Sequence, residues 1–135
     1  MNNTTMKPRI KQAIEISQMT AENIPLIGKR RRLSAICLNK KGEVVSIGIN
    51  NYTKSHPTQY TYASKCNMPD RIYLHAEMSA IIKAKSKDIH TIIVTHIGYD
   101  GKLLNAKPCP ICQMAIETAG IKNVIFSTNE GYESY

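Results

Sequence analysis

Apolar and polar positions along the chain change period several times, and each change predicts an element. Between Lys7 and Asn23 the apolar residues Ile10, Ala13, Ile14 and Ile16 stand closer to helical than to strand spacing, so a helix lying on a sheet is expected there. RLSAICLN (32–39) and VVSIGIN (44–50) are apolar-rich, β-branched runs on either side of a Lys-Gly turn, the pattern of an antiparallel hairpin. Residues 51–71 are polar, carry two prolines and keep no period; they read as a long loop. From Leu74 to Lys87, Ala76, Ala80, Ile81 and Ala84 form a stripe with lysines in the last turns, where a helix dipole favours cations. HTIIVTHI (90–97) has the apolar continuity of a buried strand, and GYDGKLLN (98–105) reads as a turn or short excursion. CPICQMAIETAG (109–120) predicts a third helix, with Pro108 and Pro110 at its beginning and Gly120 as its C-terminal cap. NVIFST (123–128) follows as the last strand. Helices alternating with strands behind a hairpin predict an α/β fold with a mixed sheet and helices on both faces.

Composition narrows the setting. A chain of 135 residues, 42% hydrophobic, is the size of one domain, so residues 1–135 are expected to form a single domain with the polar residues 1–6 frayed. Cys37, Cys66, Cys109 and Cys112 are not preceded by a leader-like segment, which leads to the expectation of a reducing, cytoplasmic setting with free or metal-bound thiols. No apolar run reaches the roughly 18–20 residues of a membrane span. The net charge of +8, densest at Lys29-Arg30-Arg31-Arg32, favours anionic partners, nucleotides or nucleic acid among them. A short charge run beside a strand reads first as a solvated face.

Two short motifs carry chemistry. Cysteines at i and i+3 at a helix start lie on one face, close enough to share a metal. Alone, Cys109-x-x-Cys112 is compatible with a redox pair, half of a structural zinc site or two core residues; the preceding Pro108 and the distant His75-x-Glu77 favour zinc. Two positions on a helix differ by about 200° of rotation, so His75 and Glu77 cannot share a flank in mid-helix. They converge only at the first turn, where backbone N–H groups are unpaired and the dipole is positive. Three ligands, His75, Cys109 and Cys112, leave a tetrahedral zinc one position for water, the mark of a catalytic rather than structural site. Glu77 is left as the base that takes a proton from that water.

His-Ala-Glu followed by Pro-Cys-x-x-Cys resembles the zinc-dependent cytidine and deoxycytidylate deaminase superfamily, in element order from about residue 33 to 128. The resemblance implies a cytidine-deaminase-like three-layer α/β/α sandwich, one Zn2+ per chain and hydrolytic deamination. In that reaction Glu77 takes a proton from the attacking water and passes protons to the ring nitrogen and to departing ammonia. It also implies that the Ala76 N–H meets the base carbonyl, that Asn50 of Gly48-Ile49-Asn50 contacts sugar or base, and that Pro108 borders the substrate. CQMAIETAGIKNVIFST looks most like the deoxycytidylate and cytidine branch. Gly-Ile-Asn-Asn and the extra stretch before Pro108 are similar to neither standard pattern and suggest an outlying, phage-type deoxycytidylate-deaminase-like branch.

Lys54, His56, Lys65 and Arg71 of the expected loop are candidates to meet a phosphate, with His56, followed by proline, the first to test. His90 and His96 flank a strand and read as structural, Cys37 reads as core, and Cys66 is a candidate extra ligand. Tyr99, Tyr132 and Tyr135 are candidates to stack on a base. Three functions compete. The first is deamination of a small cytosine nucleoside or nucleotide such as dCMP or cytidine. The second is deamination of a base within tRNA or single-stranded DNA, which the basic charge favours. The third is a non-catalytic zinc-stabilised binding module, which would need a fourth protein ligand and no role for Glu77. The resemblance further implies a homo-oligomer whose neighbours help close the site.

Overall fold

The computed structural model describes residues 7–28, 30–85 and 87–135. The first expected helix is present as α1 (Pro8–Glu22), opened by a proline in its first turn, where the missing N–H costs nothing. Strands β1 (Arg32–Leu38) and β2 (Val44–Ile49) form the expected hairpin, with a register shift between Cys37 and Leu38. The second motif helix is α3 (Ala76–Lys83), shorter than its apolar stripe predicts: Lys85 takes a positive φ of 50° and ends the helical path before Lys87. Strand β3 (Thr91–Ile97) is buried along its whole length. GYDGKLLN folds as a turn followed by the two-residue β4 (Leu103–Leu104), which pairs with β3.

Two expectations are corrected. The segment 51–71 is not a continuous loop, because Pro57–Lys65 forms a helix, α2, capped by His56. Its buried residues are just Gln59 and Ala63, one turn apart, too few to show as an apolar stripe. After α4 (Pro110–Thr118) and β5 (Asn123–Thr128), the chain makes one more strand, β6 (Gly131–Ser134), so NVIFST is not the last. β6 is a mostly exposed edge, and its GYES composition lacks the apolar alternation that marks a half-buried strand.

The strands lie in the order β2-β1-β3-β5-β6, with β4 added on β3. The β3–β5 pair is parallel and the other pairs are antiparallel, so the sheet is mixed. Side-chain alternation divides β3 between two cores. Ile93 joins Ile36, Leu38 and Ile125 beneath Ala13 and Ile14 of α1. Ile92 and Val94 join Ala35 and Cys37 beneath Ala76 and Ala80 of α3. A third cluster, with Ala63, Met78, Ile111 and Ala115, fastens α2 to α3 and α4. Met78 and Ile111 are both fully buried, each worth roughly 1.5–3 kcal/mol of transfer from water.

Gly48 sets how closely α3 approaches the sheet. A Cβ at that position would land on the Ala80 N–H and the Ala76 carbonyl, so only glycine lets the first turn of α3 rest directly on β2. Arg32 departs from the solvated-face reading of its cluster. It is 7% exposed and donates to the carbonyls of Glu22 (3.0 Å) and Gly98 (2.8 Å), tying the end of α1 to the turn after β3. Lys29 of the same cluster lies outside the described residues.

Candidate active site

The two motifs meet because each first residue stands just outside its helix. His75 is the N-cap of α3 with extended backbone (φ −78°, ψ 156°), which frees its side chain from the helical rotation and leaves Glu77 in the first turn. Cys109 is the N-cap of α4 (φ −69°, ψ 167°), Pro110 begins the helix, and Cys112 follows within the first turn. The thiols of Cys109 and Cys112 lie 3.5 and 3.4 Å from His75 Nδ1. All three ligand atoms fall within 4.8 Å of one another. Zinc bonds of about 2.3 Å to sulfur and 2.0–2.1 Å to nitrogen, set tetrahedrally, require N···S separations of about 3.5 Å. The donor set and its N···S spacing therefore fit zinc. Among the described residues this metal-binding group has three members; Cys66 is not one of them and packs beside α2.

Electrostatics follow from the packing. The Cys112 thiol donates to Cys109, and with help from His75 this brings Cys109 down to about 4. Cys112 is correspondingly pushed well up by the same hydrogen bond and by burial. Glu77 is 4% exposed, and burial raises its carboxyl above the usual range, against the opposing pull of its own backbone N–H and of His75. A carboxylate so placed is suited to accept a proton and return it.

A cavity of about 430 Å³ opens over this group. His75, Ala76, Glu77 and Cys109 line it, and Leu33 and His96, cross-strand partners on β1 and β3, form part of its lining from the sheet. Asn50, Asn51, Tyr52, Asp70 and Tyr73 line it as well, and Arg31, Arg71 and Lys107 bring three cations to it. Arg71 lies close enough to His75 to oppose its protonation. The Ala76 N–H, first in α3, has no partner among the described residues.

Other sequence candidates fall elsewhere. Asn50 lines the cavity, but its amide is engaged with the chain at the start of β1: Oδ1 accepts from Leu33 N–H (3.1 Å) and Nδ2 donates to the Arg31 carbonyl (2.9 Å). Pro108 is not among the lining residues; its carbonyl accepts from Gln113 (2.7 Å). His56 is also absent from the lining, its Nδ1 accepting from Thr58 N–H (3.1 Å) as the cap of α2. Lys54 and Lys65 lie away too, leaving Arg71 as the loop cation that reaches the cavity. Tyr132 bonds Thr95 on the opposite face, Tyr135 packs on Phe126 (5.8 Å between ring centres), and Tyr99 is exposed.

Three lining residues were not distinguishable in the sequence as site residues. Arg31 was hidden in a charge run, Lys107 in a turn, and His96 behind a structural reading; the apolar period of β3 does place His96 on the α3 face, in line with Ile92 and Val94. Gln59 is a further one. Fully buried, it accepts from His75 N–H (3.4 Å) and donates to the Arg71 carbonyl (3.1 Å), so α2 braces the metal ligand and the basic wall together.

A family model described as the cytidine and deoxycytidylate deaminase zinc-binding region matches residues 8–128. Comparison with curated proteins finds no match. Among solved structures, a cytidine deaminase from Burkholderia pseudomallei superposes with a TM-score of 0.60 at 18% identity, covering 96% of this chain and 92% of the other. The dCMP deaminase from cyanophage S-TIM5, in complex with dCMP and dUMP, gives 0.54 at 23% identity, covering 90% and 82%. At these identities the two structures establish the fold, and the family model covers most of the chain, both motifs included. The chain belongs to the cytidine and deoxycytidylate deaminase family, with His75, Cys109 and Cys112 as the group able to hold its zinc ion.

Proposed function

We propose that the protein hydrolytically deaminates a small cytosine nucleotide, with dCMP the first substrate to test, giving the uracil form and ammonia. The observation that carries this reading is that Glu77, two of the three zinc ligands and the cations Arg31, Arg71 and Lys107 line one cavity. Glu77 beside the ligands suits proton transfer at a ring; the cations suit an anionic group attached to it. A volume of about 430 Å³ is within the range of pockets that enclose small ligands.

When bound, zinc supplies the polarisation that makes water a competent nucleophile near neutral pH. Glu77 accepts the proton that this water loses and delivers it to the ring nitrogen beside the amine-bearing carbon. The Ala76 N–H donates to the base carbonyl and fixes the ring against Glu77. As the carbon–nitrogen bond breaks, Glu77 takes the proton of the hydroxyl now on that carbon and carries it to the leaving amine, leaving the carbonyl. Water plus the amine yields a carbonyl plus ammonia, and Glu77 returns to its starting state.

The cavity of about 430 Å³ and the similarity to a cytidine deaminase and to a dCMP deaminase solved with dCMP and dUMP support small-molecule substrates over polynucleotides. The three-member metal group, with Glu77 buried beside it, supports catalysis over a zinc-stabilised module. Assembly as a homo-oligomer is proposed on family grounds. Among the described residues no helix is long and apolar enough to cross a membrane.

The deciding experiment incubates zinc-loaded protein with cytidine, deoxycytidine, CMP, dCMP, single-stranded DNA and tRNA, scoring ammonia and the one-dalton mass gain of deamination. dCMP is expected to turn over fastest. Faster turnover of tRNA or DNA, with steep salt dependence, overturns the small-substrate reading. No turnover on any of the six overturns the enzyme reading.

A further inference from the structure

His96 does more than complete a strand. Its ring lies on the α3 face of β3, across from Leu33, and the residue is 7% exposed while lining the cavity. Its Nδ1 lies 3.1 Å from the Asn105 carbonyl, and a carbonyl only accepts, so Nδ1 carries the proton. In the neutral ring Nε2 is then a lone-pair acceptor, and it has no partner among the described residues.

The surroundings make this arrangement rigid. The His96 N–H donates to Ser127 Oγ (3.0 Å), which donates to the Leu104 carbonyl (2.7 Å). The stretch between β3 and Pro108 therefore has a function: it supplies the Asn105 carbonyl that selects the tautomer. Burial, with Arg31 nearby, lowers the proton affinity of the ring and keeps it neutral. Arg31 is the charge that His96 feels, which places the ring toward the cationic wall. Asn50, which also lines the cavity, has its amide held by Leu33 N–H and the Arg31 carbonyl.

We propose that His96 is a specificity-determining residue whose Nε2 accepts a hydrogen bond from a sugar hydroxyl of the substrate. This rests on the cytosine-nucleotide reading, in which Glu77 and the metal group hold the amine edge of the base and the cations hold the phosphate. The sugar then lies between them.

Two substitutions separate the ring's nitrogens. His96→Asn keeps an amide near Nδ1 to serve Asn105 and deletes the acceptor; His96→Gln places an amide oxygen near Nε2. The zinc-loaded proteins are assayed on CMP, dCMP and 2′,3′-dideoxy-CMP. His96→Asn is expected to lose roughly tenfold in kcat/KM on dCMP, mostly through KM, to match wild type on the dideoxy substrate, and to be largely rescued in His96→Gln. Equal losses on CMP and dCMP are expected and assign the 3′-hydroxyl, which both substrates carry; a loss confined to CMP, pointing to the 2′-hydroxyl that dCMP lacks, overturns the assignment.

A direct readout does not depend on the variants folding. In wild-type protein labelled with 15N-histidine, the His96 Nε2 resonance should move on adding dUMP and stay in place with 2′,3′-dideoxy-UMP. Equal movement with both ligands, or an equal loss by His96→Asn on all three substrates, overturns the assignment while leaving the deaminase reading intact. Failure of wild type to turn over any cytosine nucleotide overturns the deaminase reading, and this assignment with it.

Discussion

On the α1 face of the sheet, Ser17 Oγ bonds Ser34 Oγ (2.9 Å) and Thr95 Oγ1 (2.8 Å), and Thr95 passes the chain on to the Tyr132 hydroxyl (2.9 Å). On the α3 face, Glu77 is buried against two thiols, the Ala76 N–H has no partner among the described residues, and His96 lines a cavity with its Nε2 likewise unpartnered among them. Both faces bury polar atoms beside apolar cores. The hydroxyls on the first face satisfy one another, so their desolvation is compensated and they contribute to stability. The groups on the second are left partly unpaired and wait for partners from outside. Burial alone does not mark a working group, and neither does a missing partner, since buried Arg32 Nε is unpaired as well; the mark is an unpaired group on the wall of a cavity.

The largest effect expected from breaking this comparison is at the base. Glu77→Gln should lower turnover by roughly 10²–10⁴-fold while zinc content, measured by metal analysis, stays near one per chain. Retained activity would sink the proton-transfer role. Next is Gly48→Val, which forces α3 off β2 and should cost about 1–3 kcal/mol in urea unfolding, with a loss of activity as the His75 turn moves. On the opposite face, Ser17→Ala leaves the Ser34 and Thr95 hydroxyls short of a partner. It should cost about 1 kcal/mol while kcat/KM stays within twofold. A comparable fall in activity would show that the two faces are not independent.

The smallest effect is one of pH. Burial raises the Tyr132 hydroxyl above its ordinary value of 10.0, so the folded state favours the protonated form. That contribution is complete below pH 10 and is lost as the pH rises through the higher folded value. Unfolding free energy should fall more steeply above pH 10 in wild type than in Tyr132→Phe. Parallel curves would remove Tyr132 from the hydroxyl chain's energetics.

What was readable in the sequence divides along the same line. The metal group and Glu77 were legible because the chemistry demands particular residue types at helix starts, and Pro110 and the apolar stripes locate those starts. The sheet was legible through β1 and β3, whose burial makes them continuous apolar runs. α2 was not, since two inward residues in nine make no stripe, nor was β6, whose exposed edge position asks little of its side chains. Arg32 and His96 were read by their neighbours. A cation in a basic run and a histidine beside a strand reveal their roles only when the carbonyls of Glu22, Gly98 and Asn105 arrive from distant segments.

Gln59 couples two properties that would otherwise vary separately. Its one amide holds the backbone of a metal-binding residue and the backbone of a residue on the cationic wall of the cavity. Changes to residues 57–71 that retune substrate preference will therefore be felt in metal retention, and selection on either property constrains the other. An engineer seeking a new substrate here would do better to vary Arg31 or Lys107, which reach the cavity from other segments, and leave α2 alone.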